Sequence, residues 1–383
     1  MREPGGTLIG FNPYVHGARG LFAVQILIFH LLGADWPVYP AAWTGGGRIL
    51  KRVCEYGVEL FFCVSGYVMV QALSRAAGPC AFIRDRAIRI VPLLWVVVPA
   101  SLLFGMLTGR RPVWLLPFSD IVLVGLANML ALPGLFAIWM FNPATWSLSY
   151  EMAFYVLCGA WLAAGGLPAG WRGLRAGRGA VLVAGGVMLL FYPRGLTFML
   201  GVLVGLYDGG AVGGLARWPG LLIGAFLLVW ALIQALSADG VLLIDTTLLQ
   251  WGGDWRLALA GVGLCCLLFG FRGLVAGEGH LGRFLTWRVM QFLGTISFSF
   301  YLWQNAALGI SRRIVRVLIA DDPSSLFVMA VFPVLTVVVL VPLAFASHRV
   351  IEVGFTRWLR QRIGVGATRP SAVTGRAGSM PLG

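Results

Sequence analysis

Several polar residues stand inside or at the edges of apolar stretches, where an ionisable group is costly and reads first as a functional-site candidate. Arg19 and His30 share the stretch HGARGLFAVQILIFHLL, residues 16–32. Eleven residues separate them, so on one helix they lie within about 20° of a common face and roughly 16 Å apart along the axis. An imidazole titrates nearest neutral pH and serves as a general base, or it attacks as a nucleophile. The bland alternative is a flanking arginine plus a histidine hydrogen-bonded between packed helices.

Three further stretches carry comparable chemistry. In CEYGVELFFCVSGYVMV (54–70), Glu55 and Glu59 share a face, and Glu59 abuts Leu60-Phe61-Phe62. A carboxylate there must be protonated, paired or in a wet cavity. In FIRDRAIRIVPLLW (82–95), Arg86 and Arg89 face one side with Arg84 nearby. Arginine forks suit phosphate oxygens, although basic residues of this kind also anchor helices at a membrane face. In NPATWSLSYEMAFYVL (142–157), Ser147 and Glu151 are four apart, Tyr155 follows one turn deeper, and Trp146 and Tyr150 suit a membrane interface. Near the end, GTISFSFYLWQNAALG (294–309) carries Gln304 and Asn305, and Arg349 and Glu352 are spaced to pair on a helix.

The elements that must position these groups are apolar helices. The 383 residues are 59% hydrophobic and 11% charged, where a soluble domain carries about 25% charge, and the mean hydropathy is +0.85. The reading is an all-α polytopic membrane protein with about ten transmembrane helices, at about 20–34, 54–73, 90–108, 146–164, 179–192, 196–212, 219–237, 257–271, 290–309 and 326–347. The interrupted apolar piece within 109–145 reads as a re-entrant or surface segment. Ten crossings with both termini cytoplasmic keep most of the arginines inside, the rule for cytoplasmic loops. The net charge of +14 is scattered through short loops, which speaks against a nucleic-acid surface. Cysteine and histidine spacing shows no metal-ligand pattern, so neither a metal nor a disulfide is expected. One membrane domain, 1–363, precedes a small, polar tail at 364–383 expected to be disordered and cytoplasmic.

Taken in order, these motifs resemble the acyltransferase-3 family of integral-membrane O-acyltransferases, which acylate sugars of polysaccharides, lipopolysaccharides and Nod factors, and some macrolides. Gly17-Ala18-Arg19-Gly20 with His30 resembles the family's opening, Gly57 through Tyr67 its Gly-Val-x-Leu-Phe-Phe segment, and Arg86, Arg89, Ile90 and Pro92 its Arg-x-x-Arg run. Trp146 through Tyr155 resembles its Trp-Ser-Leu-x-x-Glu-x-x-Phe-Tyr signature. The likeness covers about residues 12–355. Glu59 stands where an Asp is common, Gln304 where a His is common and Gly354 where a Pro is usual.

The resemblance implies transfer of an acyl group, acetyl first, from cytosolic acyl-CoA to a hydroxyl of a cell-surface or secreted glycan. It implies no permanently bound cofactor and a place in a bacterial inner membrane. Arg19, Arg86 and Arg89 are then expected to hold the donor phosphates at the cytoplasmic mouth. His30, near mid-bilayer, is expected to take the acceptor proton or the acyl group. Glu151 is expected to assist in the outer half, with Glu59, Trp146, Ser147, Tyr155 and Gln304 around the acceptor. The competing expectation is a glycan or small-molecule transporter or flippase without acyl transfer.

Overall fold

The computed structural model describes residues 11–34, 46–107, 117–165, 176–207, 213–236, 255–318 and 326–363, and no strand occurs among them. The disordered-tail expectation for 364–383 lies outside the described residues. The helices in chain order are α1 (Pro13–Leu32), α2 (Gly46–Glu55), α3 (Gly57–Arg75), α4 (Pro79–Leu107), α5 (Phe118–Met129), α6 (Thr145–Ala163) and α7 (Ala176–Phe191). They continue with α8 (Leu196–Leu206), α9 (Pro219–Leu236), α10 (Trp255–Ala276), α11 (Gly279–Leu285), α12 (Arg288–Leu318), α13 (Leu326–Ser347) and α14 (Thr356–Arg362).

Each of the ten apolar stretches contains a helix, but they differ in length. Among the described residues, five helical runs are long and apolar enough to cross a membrane: Pro13–Leu32, Ile49–Arg75, Pro79–Leu107, Trp255–Ala276 and Leu326–Arg362. Others are shorter; α8 has 11 residues, or about 16 Å at 1.5 Å per residue, against a hydrocarbon core of about 30 Å. A hydropathy window does not see such breaks, because Pro193-Arg194-Gly195 forms a separate 3-10 turn ahead of α8.

The segment after α5 is non-helical and has its polar backbone satisfied from within. Asn128 donates to Val124 and Trp139 carbonyls at 2.8 Å each and accepts from the Phe141 amide at 2.9 Å. Asn142 donates to the Leu302 carbonyl at 2.9 Å. Irregular backbone in an apolar setting needs such internal partners.

Three apolar clusters form the interior, and α1 contributes to all of them: Phe22 to the one shared with α3, α9 and α10, Ile26 to the one with α3, α4 and α6, and Leu27 to the one with α12 and α13. Large apolar side chains such as Leu103, Val183, Leu228 and Val338 remain exposed, as a lipid-facing surface requires.

Glycines set the closest helix approaches. A Cβ at Gly66 would run into the Phe198 carbonyl of α8, and one at Gly201 into the Cys63 carbonyl of α3. Small residues permit such backbone contact between apolar helices. Gly66→Ala is expected to cost about 1–3 kcal/mol as an overpacking defect, and Gly66→Leu to abolish the folded protein. Thermal melting in detergent checks this, with equal melting of wild type and Gly66→Leu as the contrary result.

Candidate active site

The helices α1, α3, α4, α6 and α12 line a small open cavity of about 90 Å³. Its polar lining is Arg19, Ser65, Arg89, Ser147, Glu151, Tyr155, Ser297 and Tyr301, and its apolar lining includes Val58, Phe61, Phe62, Met69, Ile90 and Phe298. That mixture of apolar wall and a few convergent polar groups is the usual make-up of a ligand site.

The α6 stripe is the centre of it. Ser147, Glu151 and Tyr155 recur every fourth residue and so face one way. Oε1 of Glu151 accepts a hydrogen bond from Ser65 Oγ at 2.9 Å and another from the Tyr155 hydroxyl. Ser147 Oγ and the Tyr301 hydroxyl are 2.8 Å apart, joining α6 to α12. Arg86 lies behind this stripe, its guanidinium carbon 6.0 Å from the Tyr155 ring and 5.9 Å from that of Phe82.

Arg19 faces the same cavity, with Arg89, Glu352, Glu151 and Tyr155 as its electrostatic neighbours. Its place follows from how α1 begins. Asn12 caps the helix, accepting from the Tyr14 and Val15 amides at 3.0 and 3.1 Å, and its Nδ2 donates to the Val275 carbonyl at 2.9 Å. Gln291 on α12 donates to the Pro13 carbonyl at 2.7 Å. Cap and clamp together fix the first turns, and Arg19 with them.

The cap also moves His30. The span expected at 20–34 starts seven residues earlier, at Pro13, so the midpoint of α1 falls near Phe22 and Ala23 while His30 occupies its last turn. The imidazole centroid is 5.1 Å from that of Phe29, and Lys51 on α2 is its charged neighbour. His30 is not among the residues lining the cavity; Val58 and Phe61 of α3 are, and Phe61 meets Phe22 near the middle of α1. Glu151 likewise stands with Arg19 and Arg89 and not with His30, so the division into a basic inner and an acidic outer half does not describe this molecule.

Glu59 is drawn elsewhere. Buried beside α8, it accepts from Nε of Arg194, whose guanidinium carbon sits 4.5 Å from the Trp146 ring. Gln304 is fully buried and donates to the Ala23 carbonyl of α1 at 3.0 Å, which ties α12 to α1. Glu352 does not pair with Arg349. It accepts from the Ser299 amide at 3.1 Å and from the Ser299 hydroxyl, and His348 Nδ1 lies 3.4 Å away. The reason is local: His348–Phe355 is a π-helix, whose wider turn breaks the i,i+3 spacing of an α-helix.

Sequence reasoning missed Arg194 and Tyr301, gave Ser65 no part in the site and gave Glu352 only Arg349 as a partner. Ser65 and Tyr301 carry no charge in an apolar run, and Arg194 looked like a loop arginine after a proline. A buried Glu59 in need of a cation was the one available signal for Arg194.

Glu151→Gln keeps the shape and removes the charge that faces Arg19 and Arg89. Hydrogen bonds to charged groups are worth about 1.5–3 kcal/mol, so kcat/KM should fall roughly 10- to 150-fold. Tyr155→Phe removes one hydroxyl and should cost only several-fold. Steady-state kinetics on both variants check the order.

The fold and cavity define a class: an integral-membrane enzyme whose helix bundle encloses a hydroxyl-lined cavity with clustered arginines. Comparison with known families makes this specific. The chain belongs to the acyltransferase-3 family, whose acyltransferase domain matches residues 12–347, and it is an acyltransferase. It is similar to the "Exopolysaccharide production protein ExoZ" of Rhizobium meliloti (strain 1021), 28% identical over 278 residues that cover 71% of this chain and 82% of that protein. It is also similar to the "Putative membrane-bound transacylase BcsY" of Komagataeibacter xylinus, 30% identical over 159 residues, 37% of this chain and 35% of that one. No solved structure matches.

Proposed function

We infer that this acyltransferase moves an acyl group, acetyl first, from acyl-CoA to a hydroxyl of a cell-surface or secreted glycan. The observation that carries the reading is the cavity itself. Two arginines, Arg19 and Arg89, open onto it beside Glu151 and Tyr155, and its apolar wall includes Val58, Phe61 and Phe62 of α3. An acyl-CoA has both kinds of group: a phosphate-bearing head for Arg19, Arg86 and Arg89, and an arm that can lie against the apolar wall. The likeness to an exopolysaccharide production protein supports a glycan acceptor.

In this scheme His30 takes the proton from the acceptor hydroxyl as its oxygen attacks the thioester carbonyl. The carbon–sulfur bond breaks, the thiolate leaves, and the proton returns to it from the imidazole, so ester and free thiol are the products. Arg19 and Arg89 hold the donor, Glu151 and Tyr155 orient those arginines, and the Ser147–Tyr301 hydroxyl pair stands along the path of the acyl group. Trp146 and Glu59 contribute to the acceptor side, and Gln304 fixes α1 against α12. The protein acts in the bacterial inner membrane, with both termini and the donor on the cytoplasmic side.

The test is chemical. Purified protein given acetyl-CoA and glycan from a deletion strain is expected to release free thiol in step with ester formation on the glycan. Glycan movement across vesicles without thiol release would instead favour a transporter.

A further inference from the structure

The last turn of α1 holds more than His30. Against it α2 brings up Lys51, the only lysine among the chain's 29 lysine and arginine residues. Gln25 Nε2 donates to the Val53 carbonyl at 3.0 Å and so pins α2 to α1. The Lys51 ammonium lies 5.8 Å from the centre of the Phe29 ring and is a charged neighbour of His30. It also rests close to the backbone at Gly33, where an added Cβ would meet Lys51 Cε at 3.1 Å and Nζ at 3.3 Å. The space left by that glycine suits a compact ammonium and not the broad fork of an arginine.

Two structural roles are open to such a lysine, and the contacts fit neither. A salt bridge within α2 would use Glu55, four residues on, but Glu55 is held by Arg52 at 3.4 Å. A cap on the end of α1 would have the amine donate to carbonyls of the last turn. Among the described residues Lys51 Nζ makes no hydrogen bond and no ion pair, and the Phe29 carbonyl already accepts from the Gly33 amide at 2.9 Å. The Phe29 ring face attracts the charge without neutralising it. Nor is the amine sealed off, because Lys51 and His30 are half-buried and Gly33 is exposed. The end of α1 therefore presents a positive charge with three N–H donors and no anion, next to an imidazole.

The proposed transfer creates an anion at this place. As the acceptor oxygen bonds to the thioester carbon and its proton passes to His30, one electron pair of the C=O bond moves onto the carbonyl oxygen. The C=O bond then re-forms, the carbon–sulfur bond breaks, and the leaving thiolate takes the proton back from the imidazole. A donor aimed at the transient oxyanion stabilises the transition state more than the bound substrate. Arg19 is roughly 16 Å away along the helix axis, too far to serve that oxygen.

We propose that Lys51 is a catalytic residue of the transfer, its ammonium donating a hydrogen bond to the thioester carbonyl oxygen as that oxygen becomes an oxyanion beside His30. The assignment rests on the reading of His30 as the base for where the reacting carbon sits. The full chain in lipid nanodiscs is given acetyl-CoA and glycan from a deletion strain, and thiol release is followed. Lys51→Met is expected to lower kcat about 10²- to 10³-fold, the loss seen when one oxyanion donor is removed, with the KM for acetyl-CoA changed only several-fold. With acetyl dithio-CoA, whose C=S sulfur is a poor hydrogen-bond acceptor, the same substitution is expected to cost less than about tenfold. Should Lys51→Met fail to insert, Lys51→Gln carries the same comparison. The proposal is overturned by wild-type turnover in the variant, by a loss that falls on KM, or by an equal loss on both donors. It is also overturned if the variant recovers the wild-type rate at a shifted pH, since Lys51 would then act only on His30. Wild-type turnover in His30→Ala together with a kcat loss in Lys51→Met would sink the base reading and leave Lys51 in its role.

Discussion

Replacing His30 with alanine lowers kcat about 10²- to 10⁴-fold, the range that a positioned general base contributes, while acyl-CoA still binds. The expectation comes from where the chain puts this side chain. It is carried on the same helix as Arg19, roughly 16 Å further along the axis, in the last turn of α1. That is far enough for one residue to hold the head of an extended donor while the other meets its reacting end. The variant removes no residue that lines the cavity, so donor affinity should hold. Its ring packs against Phe29 in the last turn of α1, so the truncation leaves the glycine-mediated helix contacts intact, and the protein should still melt as one unit. Stopped-flow thiol release at saturating donor, with acetyl-CoA binding measured alongside, checks the split. Lost binding with unchanged turnover would place His30 in the donor site instead.

The second large effect is the mirror image of the first. Arg19→Gln and Arg89→Gln should each raise the KM for acyl-CoA, with kcat at saturating donor changed only several-fold. Each removes a charge-assisted contact worth about 1.5–3 kcal/mol, which is roughly 10- to 150-fold in affinity. The two arginines are electrostatic neighbours, so their effects are coupled and the double variant should fall short of the product of the singles. The wild-type KM should rise with salt, and the double variant's should rise less, because screening acts on the charges that the substitutions remove. Donor titrations at low and high ionic strength decide it. A KM that ignores both arginines would remove the phosphates from this end of the cavity.

What could be read from residues alone was the chemistry local to one helix. Ser147, Glu151 and Tyr155 announce themselves by a four-residue spacing, and the structure keeps them on one stripe. Arg19 was likewise visible as a charge in an apolar run. What stayed hidden depended on two helices meeting. Arg194 finds Glu59 across 135 positions of sequence, and nothing near either residue names the other. Glu352 was assigned to Arg349 because α-helical spacing was assumed, and a π-helix sends it to Ser299 and His348 instead. The start of α1 was set too late for a similar reason. The apolar span was read from about residue 20, yet Asn12 caps the helix and Gln291 clamps its first turn. Gln304, expected at the acceptor, is occupied with the Ala23 carbonyl. That the apolar stretches are helical was legible and helix length was not, since length depends on where a proline or a turn such as Pro193-Arg194-Gly195 interrupts an apolar run.

The most direct test of the central claim follows a labelled acyl group. Membranes carrying the wild type or His30→Ala at matched folded amounts are given acetyl-CoA labelled in the acetyl group, together with glycan from a deletion strain. The account predicts that label passes to glycan hydroxyls as base-labile ester with the wild type, in equal amount to the thiol released, and is reduced at least a hundredfold with His30→Ala. Label that stays on acetyl-CoA in the presence of folded wild type, or that reaches glycan equally fast with His30→Ala, would contradict it.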